Sequence, residues 1–152
     1  MKTILGLTAG LLVISQAGFA AGEVSKVPYE LGPTYFRDGD QIVIDHVMAT
    51  SPNLTVGDKV TVQGHYALKS EETAQLCLFL TTSEEVGYEP TIPAQRADVK
   101  KGSGSFELAE VVKHTGHLHL SFYPVPAGSR FGTVYFGTTQ QMKQISNWDV
   151  TK

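Results

Sequence analysis

Apolar and polar residues alternate with a period of two along much of the chain between Gln41 and Gly137. In an extended strand successive side chains point to opposite faces, so this period marks strands with one buried face. Ile42 and Ile44 open the first strand, which runs to about Ala49 before Ser51-Pro52-Asn53. Val60, Val62, Gly64, Tyr66 and Leu68 then alternate with Thr61, Gln63, His65, Ala67 and Lys69. The polar run Ser70-Glu71-Glu72-Thr73 reads as a turn, and Leu76, Leu78 and Leu80 continue beyond it, which predicts a hairpin. Residues 83–104 carry Gly87, Pro90, Pro93 and the run Lys100-Lys101-Gly102-Ser103-Gly104, and read as a long irregular connection with at most a short strand over 95–99. Phe106, Leu108 and Val111-Val112 predict the next strand. Leu118, Leu120 and Phe122 predict another, and Val134 and Phe136 the last. Met142, Ile145 and Trp148, spaced by three, allow one short amphipathic helix in the tail.

About seven short strands with turn signals between them predict an all-β fold, an antiparallel β-sandwich. The pattern, with the run from Phe106-Glu107-Leu108 to Gly116-His117-Leu118-His119-Leu120, resembles the immunoglobulin-like or fibronectin type III-like sandwiches over residues 41–137. It lacks the paired cysteines and the central tryptophan of true immunoglobulin domains, since Trp148 falls outside the strands. Residues 21–40, with Pro28, Gly32, Pro33 and Gly39, read as an extended lead-in, and residues 138–152 as a polar tail.

The first twenty residues have a different pattern. Lys2 precedes an apolar run from Ile4 to Ile14, followed by Ser15-Gln16 and the small residues Ala17-Gly18-Phe19-Ala20. This is the layout of a signal peptide cleaved after Ala20, too short for a bilayer crossing of about 20 apolar residues. Cleavage removes one base and no acid, taking the net charge from −3 to −4. Secretion or a periplasmic location follows, without stable membrane insertion. No basic cluster exceeds Lys100-Lys101, which argues against nucleic acid as a partner. The one cysteine, Cys77, sits among large apolar residues and reads as a buried, inert thiol, so no internal disulfide supports the fold.

Two constellations carry candidate chemistry. His117 and His119 lie two apart on one strand face and, with His114, His46 or His65 as a third ligand, suit a Cu or Zn site. Alternatively these histidines are ordinary outward residues opposite Leu118 and Leu120. On the same outward face Ser121, Tyr123 and Tyr135, with Arg130 from the preceding loop, combine aromatic rings with hydrogen-bonding groups and suit a sugar or peptide. No G-x-S-x-G, H-E-x-x-H, Walker loop or dinucleotide glycine pattern is present. The resulting expectation is an exported, non-catalytic binding module without a cofactor, for a carbohydrate, a peptide or another exported protein. The alternative is an exported Cu/Zn protein.

Overall fold

The computed structural model describes residues 23–152, and the expected signal peptide lies outside them. The fold is all-β, with seven antiparallel strands and one short helix among the described residues. The strands are β1 (Ser25–Lys26), β2 (Glu30–Phe36), β3 (Gln41–Ala49), β4 (Lys59–Thr82), β5 (Arg96–Val111), β6 (Gly116–Tyr123) and β7 (Gly132–Gly137); α1 is Thr139–Gln144. A 3-10 turn at Pro93–Gln95 precedes β5. All seven strands belong to one hydrogen-bonded sheet in the order β1-β3-β4-β6-β7-β2, with β5 on β4.

The alternation places about seven strands within 41–137, whereas the structure has five there, and β1 and β2 lie in the segment read as a lead-in. β4 is one strand of 24 residues, not a hairpin. Ser70-Glu71-Glu72-Thr73 stays extended because its polar groups find partners far away in sequence. The buried Asp40 carboxylate accepts from Lys69 N at 2.8 Å, Ser70 N at 2.9 Å and Ser70 Oγ at 2.5 Å. Arg37 donates to Glu71 at 2.6 Å, and Lys101 to Glu72 at 2.9 Å. A four-residue polar run looks like a turn only while those partners are out of sight.

The run 100–104 is likewise strand rather than linker. β5 pairs with β4 from Lys59↔Val111 to Cys77↔Arg96, with one register shift between Leu68 and Thr73. The extra residues of this shift lie on β4, between Leu68 and Thr73, and Gly102, opposite Leu68, takes φ +119°, which an L side chain rarely adopts, and so accommodates it in β5. Gly104 pairs with Tyr66, and a Cβ there would lie 2.8 Å from the tyrosine hydroxyl. The tyrosine covers the space that a glycine leaves in a strand. The irregular connection therefore shrinks to residues 83–95, including the 3-10 turn.

Because β5 occupies one edge of β4 along most of its length, β3 and β6 share the other edge end to end. β3 pairs with Val60–Ala67, and β6 with Gln75–Thr82. Between these two stretches the sheet curls, and its halves close on one apolar core from Ile42, Val47, Val60, Val62, Leu76, Leu78, Leu108, Leu120 and Phe136. Phe122 of β6 sits at the join, with Tyr66 of β4 and Phe36 of β2 each 6.4 Å away edge-on and Phe131 stacked at 5.7 Å. Residues 25–36, read as a lead-in, join the sheet, and β2 extends it beyond β7.

A second, smaller core lies on the opposite face of β7. Met142, Ile145 and Val150 cover Tyr135, with Tyr35 beside them. α1 is started by a capping box: Thr138 Oγ1 accepts from Gln141 N, and Gln141 Oε1 accepts from Thr138 N. Trp148 follows the helix and sets its ring edge-on to His117 and Tyr135. Among the described residues no helix is long and apolar enough to cross a membrane.

Two predictions follow from these contacts. Asp40→Ala removes a buried acceptor from three donors and is expected to lower unfolding stability in urea by about 3 kcal/mol, whereas Arg37→Ala, losing an exposed ion pair, costs less than about 1 kcal/mol. Equal losses would show that the curl does not depend on Asp40. Cys77 is 1% exposed and burial pushes its thiol up to about 12, so native protein is expected to resist thiol reagents that label the urea-unfolded chain.

Candidate functional site

Strand β6 supplies the chemistry. Leu118, Leu120 and Phe122 point into the main core, which sends His117, His119, Ser121 and Tyr123 to the other face. That face is not the open platform that the alternation predicts. His117 is 8% exposed, His119 4%, Ser121 0% and Tyr135 1%. The C-terminal segment covers one part of it, through Gln144 and Trp148 on His117 and through the small core on Tyr135. Local alternation separates the two faces of a strand but does not tell which later segment will cover the second one.

Around His119 and Tyr135 the buried polar groups satisfy one another, whereas His117 Nδ1 is buried without a partner. Ser121 Oγ donates to Thr133 Oγ1 at 2.7 Å and so accepts from His119 Nδ1, also at 2.7 Å. This places the His119 proton on Nδ1 and leaves Nε2 as an acceptor. Burial first, and the Arg130 charge second, hold the ring far below its ordinary range, to about 3, so His119 is neutral. Tyr135 OH lies 2.9 Å from Thr81 Oγ1 and accepts from Arg130 at 3.1 Å. Among the residues expected to bind a ligand, Ser121 and Tyr135 are therefore internal. Arg130 and Tyr123 are half-buried.

The histidines take separate partners. His117 Nε2 pairs with Gln144 Oε1 at 3.0 Å, and His114 Nε2 with Glu89 Oε1 at 3.0 Å, while His65 pairs with Asp45 at 3.1 Å on β3 and β4. Among the described residues no group of three or more His, Cys, Asp or Glu side chains is placed to hold a metal ion.

The second face of β6 opens instead into a cleft of about 550 Å³, roofed by the loop 83–95. Phe79, His119 and Tyr123 form an aromatic wall, with Phe79 edge-on to Tyr123 at 5.5 Å and to His119 at 6.3 Å. Val86, Pro90 and Ile92 line the loop side. Glu89, Lys113 and His114 stand on the lining as a paired group: His114 bonds Glu89, and Lys113 Nζ lies 3.8 Å from it.

Glu110 also lines the cleft, at the end of β5, and is 7% exposed. Its Oε2 accepts from Gln95 Nε2 at 2.6 Å, and its Oε1, buried, has no hydrogen-bond partner. Burial pushes this carboxyl up from its ordinary 4.5 to about 7; the Gln95 hydrogen bond and the Lys113 charge oppose the rise, and Glu89 adds to it. A buried carboxylate without a cationic partner is costly, which makes it a mark of a functional site. The sequence held a signal for it. Phe106, Leu108, Glu110 and Val112 share one parity, so the acid stands at an inward position. Phe79 and Gln95 gave no such signal, because only the tertiary fold brings them to the cleft.

Comparison with known proteins finds no match: no family model, no curated protein and no solved structure matches the chain.

The position of Glu110 has a measurable consequence. Between about pH 4.5 and pH 7 the folded carboxyl binds more proton than the unfolded one, so the stability it contributes is present below that window and is lost as pH rises through it. Glu110→Gln is expected to gain on the order of 3 kcal/mol relative to wild type between the low and high ends of the window, read from urea unfolding at both. A constant difference between the two proteins would show that Glu110 titrates as an ordinary carboxyl.

Proposed function

We propose that the protein is an exported, non-catalytic binding module whose ligand occupies the cleft between β6 and the loop 83–95. The observation that carries this reading is the aromatic wall of Phe79, His119 and Tyr123 facing the apolar residues of the loop, with the buried Glu110 carboxyl among them, one of whose oxygens has no partner. Small-molecule sites have this composition: mostly apolar walls, a few convergent polar groups, and volumes of roughly 300–1,000 Å³. His119, neutral and with Nε2 as an acceptor, offers a hydrogen bond to a ligand N–H or O–H. Of the four residues first singled out for ligand binding, Tyr123 belongs to this wall; Ser121 orients His119 from behind, and Tyr135 and Arg130 support that arrangement through their own contact. A carbohydrate or a peptide side chain are both of suitable size. The signal peptide layout of residues 1–20 supports export. The immunoglobulin-like or fibronectin type III-like character is part of the same proposal, since the two halves of the curled sheet face each other across one core as the sheets of such sandwiches do.

Arrays of glycans and of peptides test this reading. Wild type is expected to retain at least one class of ligand, and Tyr123→Ala and Phe79→Ala to bind it at least about tenfold more weakly while keeping cooperative unfolding. Retention that both variants leave unchanged would place binding elsewhere on the molecule.

A further inference from the structure

We propose that the cleft is selective for ligands bearing an organic ammonium group, which would sit against Phe79 and Tyr123 with Glu110 as its counter-charge; this rests on the cleft being the binding site. Three observations support it. Of the two carboxyl groups on the lining, Glu89 is already engaged, by His114 at 3.0 Å and Lys113 at 3.8 Å. Glu110 receives only a neutral amide, from Gln95, and one of its buried oxygens has no partner. The rings of Phe79 and Tyr123 are the surfaces that attract a cation, and they do so most strongly where water is excluded. Coulomb attraction is likewise stronger between groups removed from water.

A neutral ligand would leave the Glu110 carboxylate without compensation, and a carboxylate ligand would add a like charge to it. An alkylammonium supplies the missing charge and presents methylene or methyl groups to the apolar loop side at Val86 and Ile92. A free amine and a lysine side chain share this chemistry.

Because only the anionic carboxyl compensates the cation, binding depends on the ionisation of Glu110. The other charged or titratable side chains on the cleft are Glu89, Lys113, His114, His119 and Tyr123. Of these, burial holds His119 neutral and Tyr123 protonated, with the tyrosine pushed up to about 12. The Glu89–His114 pair is controlled by repeating the titration in His114→Gln.

Titration calorimetry on the purified protein decides the matter with four probes: choline, its neutral carbon isostere dimethylbutanol, butylammonium, and a Gly-Lys-Gly peptide. Choline or the amine probes are expected to bind at least about tenfold more tightly than dimethylbutanol, and about tenfold more weakly near pH 6 than near pH 8. Glu110→Gln, which keeps the side-chain shape and removes a costly buried charge, is expected to fold and to lose that preference and its pH dependence. Tighter binding of choline would identify a small quaternary ammonium, of butylammonium a free amine, and of the peptide a lysine side chain, and each of these supports the proposal. Equal affinity for dimethylbutanol and choline, lost in Tyr123→Ala, would overturn the ammonium selectivity and keep the cleft as the binding site. Failure of every probe would also overturn it, and the arrays would then decide on the cleft separately.

Discussion

One carboxylate holds the curl of the sheet. Asp40, at the entry to β3, takes two backbone N–H groups and one hydroxyl from Lys69 and Ser70, at the point where β4 passes from its partnership with β3 to its partnership with β6. These contacts sit at the polar, largely exposed midpoint of a strand of 24 residues. The bulge redirects it, Gly102 permits the matching shift in β5, and the Arg37–Glu71 and Lys101–Glu72 pairs add smaller exposed contributions. Once β4 bends, Tyr66 and Phe122 meet and the two halves share a core.

The cleft is a consequence of that bend. The second half of β4 carries Phe79 beside His119 of β6, and β5 returns along β4 to deliver Glu110 to the same place. The connection between them, residues 83–95, is long enough to cover the second face of β6 and to bring Gln95 onto both the Leu78 carbonyl and Glu110. The chain thus places the apolar residues Val86, Pro90 and Ile92 of this loop opposite an aromatic wall, with the Glu110 carboxyl buried between them. His119 and Glu110 are shifted in opposite senses, yet for the same reason: burial favours the uncharged form of each.

Both faces of β6 and β7 being buried is the feature that most changes the picture of the site. A histidine two residues from another on a strand suits a metal ion when both look outward. Here His117 meets Trp148 and Gln144, and His119 meets Ser121, Phe79 and Tyr135. The aromatic tail residue Trp148, outside every strand, becomes part of the cover. His119, Ser121 and Tyr135 on this face are compatible with burial because each has a partner: a chain of hydroxyls behind His119, and Thr81 and Arg130 on Tyr135.

The strands over 41–49, 117–123 and 133–136 were legible in the sequence because a period of two along a strand is a local property, set by the pleat. So were the burial of Cys77 and a short helix around Met142, and the inward parity of Glu110 was there to be found. The continuity of β4 and β5 was not legible. It rests on Asp40, Arg37 and Tyr66, which lie between 29 and 38 residues from the segments they hold. Nor was the cleft, whose wall and roof come from β4, β5, β6 and their connecting loops. Alternation along a strand says which side chains share a face. Only tertiary contact decides whether that face meets water, a second layer of protein, or an enclosed space, because that depends on where distant segments return and how they satisfy the polar groups they cover.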